Sequence, residues 1–153
     1  MVPEELMAIP ASVLASTAYW LTRFSYDYRG ESPGKIHNGT LSEDGTPQWH
    51  PDFARWLTAG GPIDTPRPES RTPEDRLRTT RALRKLRSVA VREFEVVYRV
   101  MVLGDTVDDT TKWLNDRAQR NGIPLPPGQT VHYRRKDTVA IIVSGIEKMR
   151  DWW

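Results

Sequence analysis

The 153-residue chain contains no cysteine. That excludes a disulfide scaffold, a thiolate metal site and a cysteine nucleophile together. Histidine is scarce: His37, His50 and His132 are the only three, none of them paired at the spacing of a helical zinc site. A Gly-Lys-Ser/Thr phosphate loop is also missing. The residues thus point to no catalytic site, no metal and no cofactor, and the chain reads as a non-enzyme. Long apolar runs are absent too. The most apolar early stretch, Leu6 to Leu21, is broken by Pro10, Ser12, Ser16 and Thr17 and preceded by Glu4 and Glu5. It is too short and polar to span a bilayer, and its acidic flank is the reverse of a secretory leader's. The expected location is cytoplasmic, with no membrane partner. There is no internal repeat.

Charge is present but uneven. The formal net charge is +2, yet residues 1–60 carry 4 basic and 7 acidic side chains, leaving 18 basic and 13 acidic for 61–153. Arginine supplies 17 of the 22 basic residues. Its planar fork suits bidentate phosphate and base recognition better than lysine does, although a GC-rich genome produces the same bias.

Residues 11–28 have the spacing of an amphipathic helix, with Val13, Ala15, Tyr19, Trp20 and Phe24 on its apolar side. Turn signals follow from Arg29 to His50, and Ile36 and Leu41 flank Asn38-Gly39 as a short hairpin would. Residues 51–57 read as a short helix stopped by Gly60-Gly61, with Trp49 and Trp56 in the core of this small unit. Pro62, Pro66, Pro68 and Pro73 among polar residues mark 62–73 as a linker. The expected organisation is therefore an N-terminal unit over 1–61, a proline-rich linker over 62–73 and a helical domain over 74–153.

The C-terminal part is better specified. Thr72-Pro73-Glu74-Asp75 combines an N-cap, a proline at the first helical position and acidic residues in the first turn. Thr79, Ala82, Leu83, Leu86 and Ala90 then share one face, and Arg78, Arg81, Arg84 and Lys85 the opposite one. Seven basic residues and no acidic one lie between Arg76 and Arg92. A second helix, about Arg92 to Leu103, bears two apolar stripes and ends at Gly104 as an αL residue would. Thr106 caps a third, with Val107, Thr110, Thr111, Leu114 and Ala118 on one face and Asn121-Gly122 as its stop. A last helix is expected from a cap at Thr130, with Val131, Val139, Ile142, Ile146 and Met149 inward. Trp152-Trp153 either closes that helix onto the core or offers a partner-binding patch.

The run from Leu83 to Ala118 resembles the DNA-binding fourth conserved region of bacterial sigma factors. The matching residues are Arg92-Glu93-Phe94-Glu95-Val96, then Leu103-Gly104, then Thr106-Val107-Asp108-Asp109 at the start of the following helix. Thr130-Val131-His132-Tyr133-Arg134-Arg135 resembles the start of the recognition helix. The resemblance covers roughly residues 75–150 and is shared by other bacterial and phage helix-turn-helix regulators. One feature departs from it. Helix-turn-helix turns have about 3–4 residues, whereas 122–129 is longer and holds three prolines. Residues 1–70 show no likeness to the other promoter-binding regions of sigma factors.

The resemblance implies a mainly α fold: a helix-turn-helix C-terminal domain beside a small helical, loop-rich N-terminal unit. It also implies sequence-specific binding of double-stranded DNA, in a phage or bacterial transcription regulator. A helix N-terminus favours a phosphate, and side chains of the first two turns reach base edges. Tyr133, Arg134 and Lys136 are the expected contacts to bases or phosphate, with His132 at the boundary, Thr130 at the helix start, and Arg135 snorkelling or holding a phosphate at the rim. Arg78, Arg81, Arg84 and Lys85 would meet the backbone electrostatically. Thr106, Thr110, Thr111 and Lys112 would touch it across the groove. Two alternatives stand beside this reading: a sigma-like decoy that docks on RNA polymerase or another host protein, and a phage structural or assembly protein. The acidic, tryptophan-bearing N-terminal unit suits a protein partner, including a second copy of the chain in a homodimer.

Overall fold

The computed structural model describes residues 9–29 and 72–153. Among them are five helices and no strand: α1 (Ala11–Arg29), α2 (Pro73–Val89), α3 (Val91–Met101), α4 (Val107–Arg120) and α5 (Arg135–Trp152). The fold is mainly α, as expected. None of the described helices is long and apolar enough to cross a membrane. The hairpin at Asn38-Gly39, the helix at 51–57, the linker up to residue 71, His37, His50, Trp49 and Trp56 lie outside the described residues.

Local signals place two helix starts and two helix stops where the sequence puts them. Thr72 and Asp75 form a reciprocal cap: the Thr72 hydroxyl accepts the Asp75 N–H at 3.1 Å, and the Asp75 carboxylate accepts the Thr72 N–H at 3.2 Å. Such a cap contributes about 0.5–2 kcal/mol. Thr106 caps α4 by accepting the Asp109 N–H at 2.9 Å. Gly104 and Gly122 sit at φ 74° and 68°, the left-handed conformation that ends the helices before them.

The core gathers from all five helices. α3 contributes Val96, Val97, Val100 and Met101, α5 contributes Val139, Ile142, Ile146 and Met149, and α2 contributes Ala82, Leu83 and Leu86. α5 packs most extensively on α3 and also touches α1, α2 and α4. The α3–α5 crossing is close because of Gly145: a Cβ there would lie 2.6 Å from a Val97 methyl. α4 seals one side with Val107, Thr110, Leu114 and Ala118.

α1, part of the expected N-terminal unit, belongs to this same core. Leu14, Ala18, Leu21 and Phe24 are fully buried against α2, α3 and α5. Polar ties reinforce the packing: Ser25 donates to the Met101 carbonyl at 3.1 Å, and Thr79 donates to the buried Asp27 carboxylate at 3.2 Å. The buried face is also rotated from the expected one. Leu14, Ala18, Leu21 and Ser25 recur one turn apart and point inward, whereas Val13, Tyr19 and Trp20 are half-buried. Phe24 of the expected apolar side does fill the core, whereas Tyr19 and Trp20 flank it.

The C-terminal tryptophans close onto the core. Trp153 meets Trp20 and Phe24 at ring-centroid distances of 5.6 and 6.4 Å, and its indole N–H donates to Thr79 at 3.0 Å.

Candidate nucleic-acid interface

The expected recognition helix begins later than the sequence suggests. α5 starts at Arg135, so 121–134 forms a fourteen-residue connection after α4. Thr130 is not the cap. Arg134 is, with its N–H donated to the Asp137 carboxylate at 2.8 Å. Thr130, His132 and Tyr133 therefore precede the helix, and Val131, the expected inward reference, is exposed.

Interactions within the connection explain the shift. Pro126 to Gln129 makes a tight turn, with the Gln129 N–H on the Pro126 carbonyl at 3.1 Å and Gly128 at φ 75°. The His132 ring meets the Ile123 carbonyl through Nε2 at 2.5 Å. The Asn115 amide then brackets the Tyr133 backbone, accepting its N–H at 2.7 Å and donating to its carbonyl at 2.9 Å. The two backbone groups are committed to α4, and the Tyr133 ring packs against the core. Tyr133 is thus removed from the expected reading surface.

Arg135 is committed as well. Its guanidinium makes a two-pronged ion pair with Asp108, in the first turn of α4, at 2.5–2.7 Å. Three residues on, the Thr138 and Thr111 hydroxyls meet at 2.6 Å. Thr110 is buried and bonds the Thr106 carbonyl, and the Thr106 hydroxyl accepts as a cap. Among the expected residues of this region, Arg134, Lys136 and Lys112 remain. Arg134 is exposed, with Asp137 3.9 Å away, and Lys112 is exposed. Lys136 is half-buried.

Arginine abundance has a partly internal explanation. Trp153 lies under two guanidinium groups, Arg23 at 4.2 Å and Arg78 at 5.2 Å. Trp113 lies under Arg99 at 4.4 Å and Arg117 at 5.2 Å, and these two also pair with Asp105 and Glu95. Cation–π contacts of this kind contribute about 0.5–2 kcal/mol each. Arg76 donates to the Asp27 carbonyl at 3.2 Å. These arginines serve the fold.

What remains is the outer side of α2. Arg81, Arg84, Lys85 and Arg87 are exposed and form no ion pair among the described residues, and the same holds for Arg92 in the first turn of α3. Lys85 lies 4.8 Å over the Trp152 ring, and Arg87 lies 5.8 Å over Phe94. Arg78 is the exception on this side, paired with Glu74 at 3.2 Å. The α2 row and the α5 start are not brought together. Lys85 sits at the C-terminal end of α5, and Arg134 and Lys136 sit at the other end, about 25 Å away at 1.5 Å per residue.

One feature was missed in the sequence. Beside the α2 row a groove of about 280 Å³ opens between Tyr28 of α1, Thr80, Leu83, Arg84 and Arg87 of α2, and Phe94 and Tyr98 of α3. The only local hint was that Thr80, Arg84 and Arg87 flank the apolar stripe of α2 on one side. Phe94 and Tyr98 read as interior residues of a helix apolar all round. The chain matches no protein-family model, no curated protein and no solved structure.

Proposed function

We propose that this chain binds double-stranded DNA through its phosphates, with α2 laid along the backbone, and acts as a bacterial or phage transcription regulator. The supporting observation is the row Arg81, Arg84, Lys85 and Arg87, exposed and without an acidic partner among the described residues. Four like charges within two turns of one helix repel one another, and an anionic polymer relieves that repulsion while releasing its own counterions. Base reading falls to Arg134 and Lys136, since Tyr133 and Arg135 are occupied within the protein. Titrating a labelled random-sequence blunt duplex at increasing salt tests this. Affinity should fall with a log–log slope of roughly −0.9 for each phosphate contacted. Arg81→Ala, Arg84→Ala and Lys85→Ala together should flatten that slope by about two to three. No binding, or an unchanged slope, overturns the assignment.

A second reading is supported by a different surface. Val91 and Ile123 are exposed and line a cleft of about 260 Å³ with Leu114, Ala118 and Tyr133. An apolar cleft with Arg92, Glu95 and Arg117 at its rim suits a protein partner, in keeping with a decoy that docks on RNA polymerase or another host protein. A duplex that fails to bind while RNA polymerase is retained on the immobilised chain, and released by Val91→Asp, would favour this reading.

A further inference from the structure

From the groove beside α2 we infer that the protein takes an unpaired nucleotide, a strand end or overhang, at the edge of the duplex it binds. The inference rests on the DNA-binding reading above and adds a second, non-duplex element to it. The groove combines two features that a duplex backbone alone does not require. Its wall is aromatic: Phe94 and Tyr98 lie with ring centroids 5.6 Å apart, and Tyr28 faces the same space. Its rim is cationic: Arg84 and Arg87 border it, neither in an ion pair among the described residues.

A planar apolar group joined to an anion fits both features at once. A nucleobase stacks on an aromatic side chain whatever its identity, because every base presents a π face. Its phosphate belongs beside a guanidinium, which is planar, permanently charged and matched to two phosphate oxygens. Arg87 already lies 5.8 Å over Phe94, so a base on that ring would keep its phosphate within reach of the same guanidinium. The groove is also continuous with the duplex-facing row, because Arg84 belongs to both. A strand leaving a duplex on that row meets the groove next. A base held between paired neighbours cannot enter, so the site selects unpaired nucleotides.

Three labelled duplexes test this with the full chain: blunt, with a four-thymine overhang, and with a four-residue abasic overhang of equal charge. The thymine overhang should bind about tenfold tighter than the abasic one, the range of a stacked base. Phe94→Leu should erase that difference and leave blunt-duplex affinity unchanged. Arg87→Gln should weaken both overhangs alike. Because Phe94 is half-buried, a readout on the unaltered protein accompanies the variant: 5-iodouracil in the overhang should photocrosslink to Tyr28, Phe94 or Tyr98. Equal affinity for thymine and abasic overhangs, or crosslinks confined to other residues, overturns the groove assignment while leaving duplex binding intact. Failure of all three duplexes to bind overturns the DNA reading and this inference with it. Displacement of the thymine overhang by a phosphotyrosyl peptide at lower concentration than by oligothymidine reassigns the groove to a protein partner.

Discussion

Arg135 and Asp108, 27 residues apart, hold the starts of α5 and α4 together through two guanidinium nitrogens and two carboxylate oxygens at 2.5–2.7 Å. Arg135, the first residue of α5, is thus spent inside the protein. The pair is partly exposed, at 30% and 45% of the side-chain surface, so solvent screens it. Its worth is about 1 kcal/mol or less. Arg135→Ala should therefore lower thermal stability slightly and leave the salt slope of duplex binding unchanged. A slope flattened by about one would show a phosphate on Arg135 instead.

The helix pair α3–α5 is the tightest test of the fold. Gly145→Ala places a methyl 2.6 Å from Val97 Cγ2 and 3.4 Å from Glu93 Cβ. The helices must separate to admit it, at a cost of about 1–3 kcal/mol. Urea denaturation should show a lower midpoint with the slope unchanged. A midpoint equal to that of the unaltered chain would mean that the interface yields freely.

A chain beginning at residue 70 should lose cooperative folding. α1 buries Leu14, Leu21 and Phe24 to within 1% of full burial. Each such side chain contributes roughly 1.5–3 kcal/mol, so the three together supply about 5–9 kcal/mol. That is comparable to the whole stability of a typical domain, about 5–15 kcal/mol. Calorimetry of 70–153 should show no cooperative transition. A sharp transition near that of the full chain would restore the independent domain expected from the sequence.

Asn115→Ala should loosen the connection before α5 more than it destabilises the whole. It removes both partners of the Tyr133 backbone, and each group left unsatisfied costs about 1–3 kcal/mol where water is excluded. The local consequence is faster proteolytic cleavage within 121–134, read by limited digestion and mass mapping. Cleavage at an unchanged rate would show that the prolines and His132 hold the segment unaided.

These relationships divide by range. The Thr72–Asp75 cap and the Thr106 cap act across three residues, and the left-handed Gly104 and Gly122 act within a turn. Such interactions are written in adjacent letters, and the expected limits of α2, α3 and α4 follow them closely. Thr130-Val131 carries a comparable local signal, yet Arg134 and Asp137 carry another, and local chemistry does not rank the two. The Asn115 bracket, 18 residues away, selects the later start. The groove of Tyr28, Phe94 and Tyr98 was illegible for the same reason, because its walls come from three helices.

The amino-acid sequence by itself determined the mainly α fold, the absence of thiol chemistry, the buried stripe of α2 and the run of positive charge along that helix. Composition and helical periodicity depend on residues a turn or so apart, and nothing distant alters them. Tertiary structure alone decided which charges remain outward. Arg23 and Arg78 meet at Trp153, and Arg99 and Arg117 meet at Trp113. Arg135 meets Asp108. Each of these cations reads as surface charge from its neighbours in the chain and becomes part of the fold only when a partner arrives from another helix. The outward row on α2 is what remains after those pairings, because between Arg76 and Arg92 no acidic residue is present to pair with it.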